Sequence, residues 1–184
     1  MRVLTLSATG AALLLAAATV PALPGVAAPG APQAAAAATK CRTTYEIGLT
    51  PGLSTQGAPG TSFADDVPVT CNGKVFGTAV SGPGRMVSIA HLSPASTCLG
   101  GAGWGALYLR FPTAKGPDKV VVDPITYSFG GLEKGLITGT FAGDRFDGTF
   151  TVIPVKGDCV TSPLTRGRLT LTGTLHAFKA SEEP

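Results

Sequence analysis

The sequence predicts an all-β fold, an antiparallel barrel of about eight or nine short strands with two disulfides. Stretches that alternate apolar and polar residues recur along the chain, and turns rich in Gly, Pro and Asp separate them at intervals of roughly ten residues. No stretch has the 3.6-residue period of an amphipathic helix. Consecutive hairpins favour a barrel because closure removes exposed strand edges, and a two-sheet β-sandwich is the alternative.

The N-terminal 39 residues are predicted to lie outside this domain. Residues 1–28 begin with a charge at Arg2, continue with an apolar stretch and end in small residues, which is the pattern of a cleaved signal peptide. Residues 29–39 form an Ala- and Pro-rich linker, with a second small-residue cleavage site after Ala38. The apolar stretch is shorter than the roughly 20 residues that span a bilayer. We therefore expect a secreted, extracellular protein without a stable membrane anchor.

Residues 40–180 are expected to form one β-domain, followed by a polar tail at 181–184. A domain of this size can bury a sizeable core. The chain has a net charge of +3, and its basic residues are scattered rather than arranged in the stripe that nucleic acid requires. We expect an unknown extracellular ligand and no nucleic acid, while the oligomeric state stays open.

Nine strands are predicted, with a turn or loop between each pair: 41–50, 67–71, 75–80, 86–92, 104–111, 120–129, 136–141, 149–155 and 168–178. The first places Cys41, Tyr45 and Leu49 on one face. Residues 54–66 have no periodicity and predict a long loop. Asn72-Gly73 predicts a type I′ hairpin turn.

Prolines mark two of these strands. Pro124 suggests an interruption, either an edge or a bulge, and Pro154 is a second strand proline.

The four cysteines predict two disulfides, because an even number in an exported chain is normally paired. Cys41 opens one strand and Cys71 closes the next, so antiparallel pairing would bring them together. This leaves Cys98 and Cys159, which both lie in Gly-flanked loops. A zinc site would need closely spaced cysteines, and a reactive thiol would need a nearby base. Neither pattern is present.

The two loop cysteines lie in the segments TCLGG, Thr97 to Gly101, and GDCVTSPLT, Gly157 to Thr165. In these segments the chain resembles a group of small exported bacterial β-domains, and the resemblance covers most of the mature chain. It implies no activity and assigns no site residues.

The candidate ligand site is formed by Trp104, Tyr108 and Arg110, which alternation places on one face of a strand beside a Gly-rich loop. Aromatic rings beside a cation can receive a sugar ring or an anionic ligand. The alternative is that these side chains form the rim of the core.

Other chemical groups predict structural roles. His91 is in phase with the apolar Val87 and Ile89, and His176 is expected to be exposed. Asp144 and Asp147, like Asp65-Asp66, are assigned to turns, since the ligand spacing of a calcium loop is absent. The threonines of the last three strands predict a polar outer face. They are Thr138, Thr140, Thr149, Thr151, Thr170, Thr172 and Thr174.

These observations favour a secreted, non-enzymatic binding domain, with no catalytic residues, no metal and no cofactor. No nucleophile elbow, zinc-binding helix or dinucleotide motif is present in the sequence. Two alternatives remain. One is a small barrel enzyme, a hydrolase or a cyclase-like protein, with a luminal site. The other is a secreted inhibitor that presents the loop at 54–66.

Overall fold

A computed structural model describes residues 38–131 and 135–176. The signal peptide predicted at 1–28, most of the linker and the tail at 181–184 lie outside the described residues. The described chain forms ten strands and no α-helix, and eight of the strands close into an antiparallel barrel, so the predicted barrel is confirmed. The strands are β1 Thr39–Leu53, β2 Gly60–Asn72, β3 Lys74–Val75, β4 Thr78–Ala79, β5 Gly84–Leu92, β6 Gly100–Phe111, β7 Lys119–Gly130, β8 Ile137–Gly143, β9 Phe146–Lys156 and β10 Leu164–Leu175.

The barrel is a meander that its first and last strands close. Around the wall the order is β1-β10-β9-β8-β7-β6-β5-β2, and every neighbouring pair is antiparallel. Closure comes from the long β1–β10 ladder, in which Thr39 faces Leu175 and Gly48 faces Arg166. Because the side chains alternate, one face of every strand points into the lumen. The described part of the chain contains no helix that is long and apolar enough to cross a membrane.

Two apolar clusters occupy most of the lumen, one toward each end of the barrel. The first includes Phe111 and Phe146, and the short β3–β4 hairpin contributes the fully buried Val75 to it. The second includes Leu53 and Leu164. Four side chains pack against both clusters: Tyr45, Tyr127, Phe150 and Leu169. The core therefore runs through the whole barrel.

Inward-facing glycines make room for large rings from the neighbouring strands. A Cβ at Gly103 would lie 2.3 Å from the Tyr127 hydroxyl, and a Cβ at Gly139 would lie 2.4 Å from the Phe150 ring. Contacts this short are not tolerated, so these positions require glycine. The glycine content of the sequence thus reflects packing inside the barrel as well as turns.

Both predicted disulfides are confirmed. Cys41 and Cys71 face each other directly across the β1–β2 ladder, as expected for antiparallel pairing of their two strands. The second joins the loop before β6 to the loop before β10. There the Asp158 carboxylate accepts hydrogen bonds from the Thr161 hydroxyl and from the backbone N–H groups of Ser162, Thr161 and Val160, which lower its pKa well below the usual range.

The predicted loop at 54–66 is wrong over its second half, because β2 begins at Gly60. The inward positions at the start of β2 carry Gly60, Ser62 and Ala64, and such small residues conceal the alternation on which strand prediction depends. A bulge then follows at Asp65-Asp66, where Asp66 has a φ of 49°.

The predicted hairpin turn is also displaced. Lys74 pairs with Ala79 and Val75 with Thr78, so the two-residue turn is Phe76-Gly77. Both of these residues have positive φ, as a type I′ turn requires, whereas Asn72 does not.

The prolines behave differently from one another. Pro124 does not interrupt β7, because it lies just before the β7–β8 ladder starts at Ile125. Pro154 lies where the β9–β10 register shifts, as a strand proline at a bulge does.

Candidate functional site

The most distinctive surface of the described chain is an apolar area on the outside of β2, β5, β6 and β7. Six of its large side chains have between 42% and 59% of their surface exposed. We call it the outer apolar surface, and it comprises Phe63, Ile89, Trp104, Tyr108, Val120 and Val122. Together these side chains expose on the order of 500 Å², which is in the upper range for the largest apolar patch of a monomer.

Strand register makes this surface continuous. Phe63 faces Ile89 across β2 and β5, and Tyr108 faces Val122 across β6 and β7. Between these pairs lie Ala106 and Pro124, which also face each other. Directly opposed side chains on one face of a sheet are in contact distance, so the apolar residues form a single area rather than isolated points.

Trp104 lies at one end of the outer apolar surface on a supported platform. Its ring stacks on that of His91, with centroids 5.7 Å apart and planes inclined by 23°. Beneath them the Tyr127 hydroxyl donates a hydrogen bond of 2.8 Å to the His91 carbonyl oxygen. Burial raises the pKa of Tyr127 to about 12, so this donor keeps its proton at neutral pH. Alternation along β6 directs the ring of Trp104 outward, and about half of its surface is open to solvent.

Two ion pairs border the same surface. Arg110, beyond Tyr108 on β6, lies 3.5 Å from Asp118, and Arg85 on β5 lies 3.6 Å from Asp66. Both pairs are largely exposed, so they stabilise the fold little and remain available to other charges. The border therefore carries both signs of charge around an apolar centre.

The structure places the three predicted site residues, Trp104, Tyr108 and Arg110, on the outward face of β6. The alternation in the sequence therefore predicted their common face correctly. Sequence reasoning missed the other half of the surface. Phe63 was assigned to a loop, and Ile89 was read as part of an apolar face with Val87 and His91. That face points outward, and the lumen is instead lined by Met86, Ser88, Ala90 and Leu92.

The carboxylates do not gather into a site. Among the described residues no group of three or more His, Cys, Asp or Glu side chains could hold a metal ion. Asp65, Asp66 and Asp147 lie in strands rather than in the predicted turns, and Asp144 lies in the β8–β9 turn. Asp147 contacts the ring of the exposed His176.

One carboxylate, Asp123, is fully buried and points into the barrel. It accepts hydrogen bonds from the backbone N–H groups of Arg145 and Phe146, at 3.1 and 2.8 Å, and so fixes the β8–β9 turn. Burial raises its pKa, although these hydrogen bonds oppose the shift. Its role is accounted for by the turn that it holds.

The loop proposed for an inhibitor is shorter than predicted, because β2 takes up Gly60 onward and leaves only 54–59 between strands. The threonine face is present as predicted. Thr138 and Thr140 face Thr151 and Thr149, and the rows continue onto β10. A recess of about 540 Å³ lies beside it on β1 and β2, bordered by Lys40 and Arg42.

Comparisons with known proteins do not connect this arrangement to a known activity. No protein-family model matches the chain. Neither the curated proteins nor the solved structures include a significant match.

Proposed function

We propose that the protein is an exported, non-catalytic binding domain that docks its outer apolar surface onto another extracellular or cell-surface protein. The observation that carries this proposal is the continuous exposure of six large apolar side chains on four adjacent strands. Leaving such an area in water is costly for a solitary domain, and surfaces of this size commonly bind other molecules.

The composition of the surface favours a protein over a sugar or a small molecule. Aliphatic side chains lie among the aromatic rings, and hydrogen-bonding groups within the area are few. Sugar recognition needs such groups, and small molecules bind in concave sites, whereas the outside of a barrel is convex. An apolar, aromatic centre with charged residues at its border matches the usual anatomy of a protein interface. Arg110 and Arg85 supply that border.

A non-catalytic role is supported by the distribution of titratable groups. Both histidines of the chain face outward, and Asp123 is engaged by backbone amides. Acid–base catalysis needs at least one such group within reach of a bound substrate. Export is supported by the two disulfides, which persist in oxidising compartments. Protein recovered from the culture medium should begin after Ala28 or Ala38, and an N-terminus at Met1 or Arg2 would contradict export.

The proposal can be tested with a phage-displayed library of random peptides as the probe. Peptides selected on the immobilised mature protein should bind mainly at the outer apolar surface, because it offers the largest desolvation gain. We expect the variant Trp104→Ala with Ile89→Ser to lose at least tenfold in affinity for most selected peptides. The matched control is Thr149→Ala with Thr172→Ala on the threonine face, which should bind them unchanged.

Two outcomes would overturn the proposal. Selected peptides that bind the Trp104 and Ile89 variant as tightly as the wild type would show that binding occurs elsewhere. Sedimentation velocity supplies the second. If the wild type is a dimer and the variant is a monomer, the surface joins two copies of this chain rather than a different partner. Circular dichroism and thermal unfolding of each variant verify that the barrel is intact.

A further inference from the structure

The barrel contains a cavity that packing leaves unfilled. It is lined by members of both apolar clusters, most of them from the second, and has a volume of about 100 Å³. Its wall is aliphatic and aromatic apart from four hydroxyl groups, on Tyr45, Ser62, Ser88 and Tyr127, and none of the described charged side chains lines it. Of the six residues of the outer apolar surface only Ile89 is among its lining residues, and Trp104 is not.

Small side chains on two adjacent strands explain why the cavity exists. Ser62 faces Ala90 and Ala64 faces Ser88 across the β2–β5 ladder. Two rows of small residues on the inner wall leave a recess where longer side chains would meet in a filled barrel. An eight-stranded barrel is just wide enough to be filled by side chains or to hold one small ligand, and here the filling is incomplete.

Two of the hydroxyls are placed to bind a ligand. The Tyr45 hydroxyl and the Ser88 Oγ are 3.4 Å apart, which is long for a hydrogen bond between two hydroxyls. A hydrogen bond between them uses one donor and one acceptor, so one hydroxyl proton and further oxygen lone pairs remain for a ligand. Burial raises the pKa of Tyr45, so its proton is retained. By contrast, Tyr127 is already committed to the His91 carbonyl.

The volume limits the ligand. An engineered apolar cavity of about 150 Å³ stays dry and binds benzene. A cavity of about two-thirds of that size suits a single small ring or a short chain, with modest movement of its wall. The neutral, hydroxyl-bearing side of the wall suits one hydroxyl or carbonyl group and disfavours a charged one, which would be buried without a counter-ion.

We infer that the barrel interior is a binding site for a small neutral molecule, of about the size of a single six-membered ring, that hydrogen-bonds to Tyr45 and Ser88. Apart from Ile89, the residues that line this site are not part of the outer apolar surface. A protein that carries both could bind a partner outside and a small apolar molecule inside.

Phenol and toluene are suitable probes, because they have nearly the same shape and differ in one hydroxyl group. Titration calorimetry on the mature protein should show phenol binding about tenfold more tightly than toluene, the effect of one neutral hydrogen bond. Tyr45→Phe and Ser88→Ala should each reduce this preference to less than about threefold while leaving the toluene affinity unchanged. Ala90→Leu, which fills the recess, should abolish binding of both probes.

Trp104→Ala is the control, and it should bind both probes like the wild type. The inference is overturned if toluene binds as tightly as phenol, if Tyr45→Phe and Ser88→Ala keep the preference, or if neither probe binds at millimolar concentration. If Ala90→Leu fails to fold, the two hydroxyl variants still decide, since each removes one oxygen and adds no bulk. Decanol binding more tightly than phenol would contradict the size limit.

Discussion

The Cys98–Cys159 disulfide should contribute more to the free energy of unfolding than the Cys41–Cys71 disulfide. The perturbation is the replacement of each pair by alanine. Cys98 and Cys159 are separated by 61 positions and Cys41 and Cys71 by 30. A cross-link restricts the unfolded chain more when it closes a longer loop.

The chain-entropy relation gives the magnitudes. A loop of this greater length corresponds to about 4.3 kcal/mol at 25 °C, and the shorter one to about 3.7 kcal/mol.

Urea-induced unfolding of the mature protein and of the two double variants would measure both values. We expect the Cys98→Ala and Cys159→Ala variant to have the lower midpoint, with an m-value that rises in both variants because the unfolded chain expands. A loss below about 1 kcal/mol on replacing Cys98 and Cys159, or a clearly larger loss on replacing Cys41 and Cys71, would contradict the prediction from loop length.

Three further predictions concern single residues of the barrel strands and of one loop. Gly103→Ala should cost about 1 to 3 kcal/mol in urea unfolding, since its Cβ would lie 2.1 Å from the His91 carbonyl oxygen, while Gly48→Ala, which has nothing within 4 Å, should be neutral within about 0.5 kcal/mol. Burial raises the pKa of Asp123 in the folded protein. Below about pH 4 its carboxyl group is protonated in both the folded and the unfolded chain, so its burial lowers the free energy of unfolding least there. The free energy of unfolding then falls as the pH rises through the pKa of Asp123 in the folded protein. Asp123→Asn should abolish that fall, and parallel pH profiles for the wild type and the variant would contradict this. Asp158→Ala should accelerate amide exchange in its loop and leave exchange in the barrel strands unchanged, because its hydrogen bonds are local.

Much of the fold could be predicted from local patterns in the sequence. Alternation in β1 and β10 was strong enough to give the correct inward face, and the positions of Cys41 and Cys71 at opposite ends of consecutive strands gave their pairing. The beginning of β2 could not be predicted. Its inward positions carry Gly60, Ser62 and Ala64, and such small residues do not produce the alternation of large apolar and polar residues that predicts a strand. Closure of the barrel depends on β1 meeting β10, a contact between distant parts of the chain that no local pattern encodes.

The sites were predictable only where one strand carries the signal. Trp104 and Tyr108 could be placed on one face because they alternate along β6. Phe63, from β2, joins them only through the lateral order of the strands. The luminal cavity was beyond prediction for the same reason, because Tyr45 and Ser88 come from strands β1 and β5, which do not pair with each other. Such sites are properties of the tertiary register.

The fluorescence of Trp104 reports directly on the proposed docking surface, because it is the single tryptophan of the chain and lies on the outer apolar surface. The emission would be recorded for dilute mature protein, alone and with a saturating peptide selected on the wild type. The proposed function predicts emission close to that of the urea-unfolded chain for the free protein, and a shift to shorter wavelength when the peptide covers the ring. Short-wavelength emission from the dilute free protein, or a peptide complex in which the emission of Trp104 is unchanged, would contradict it.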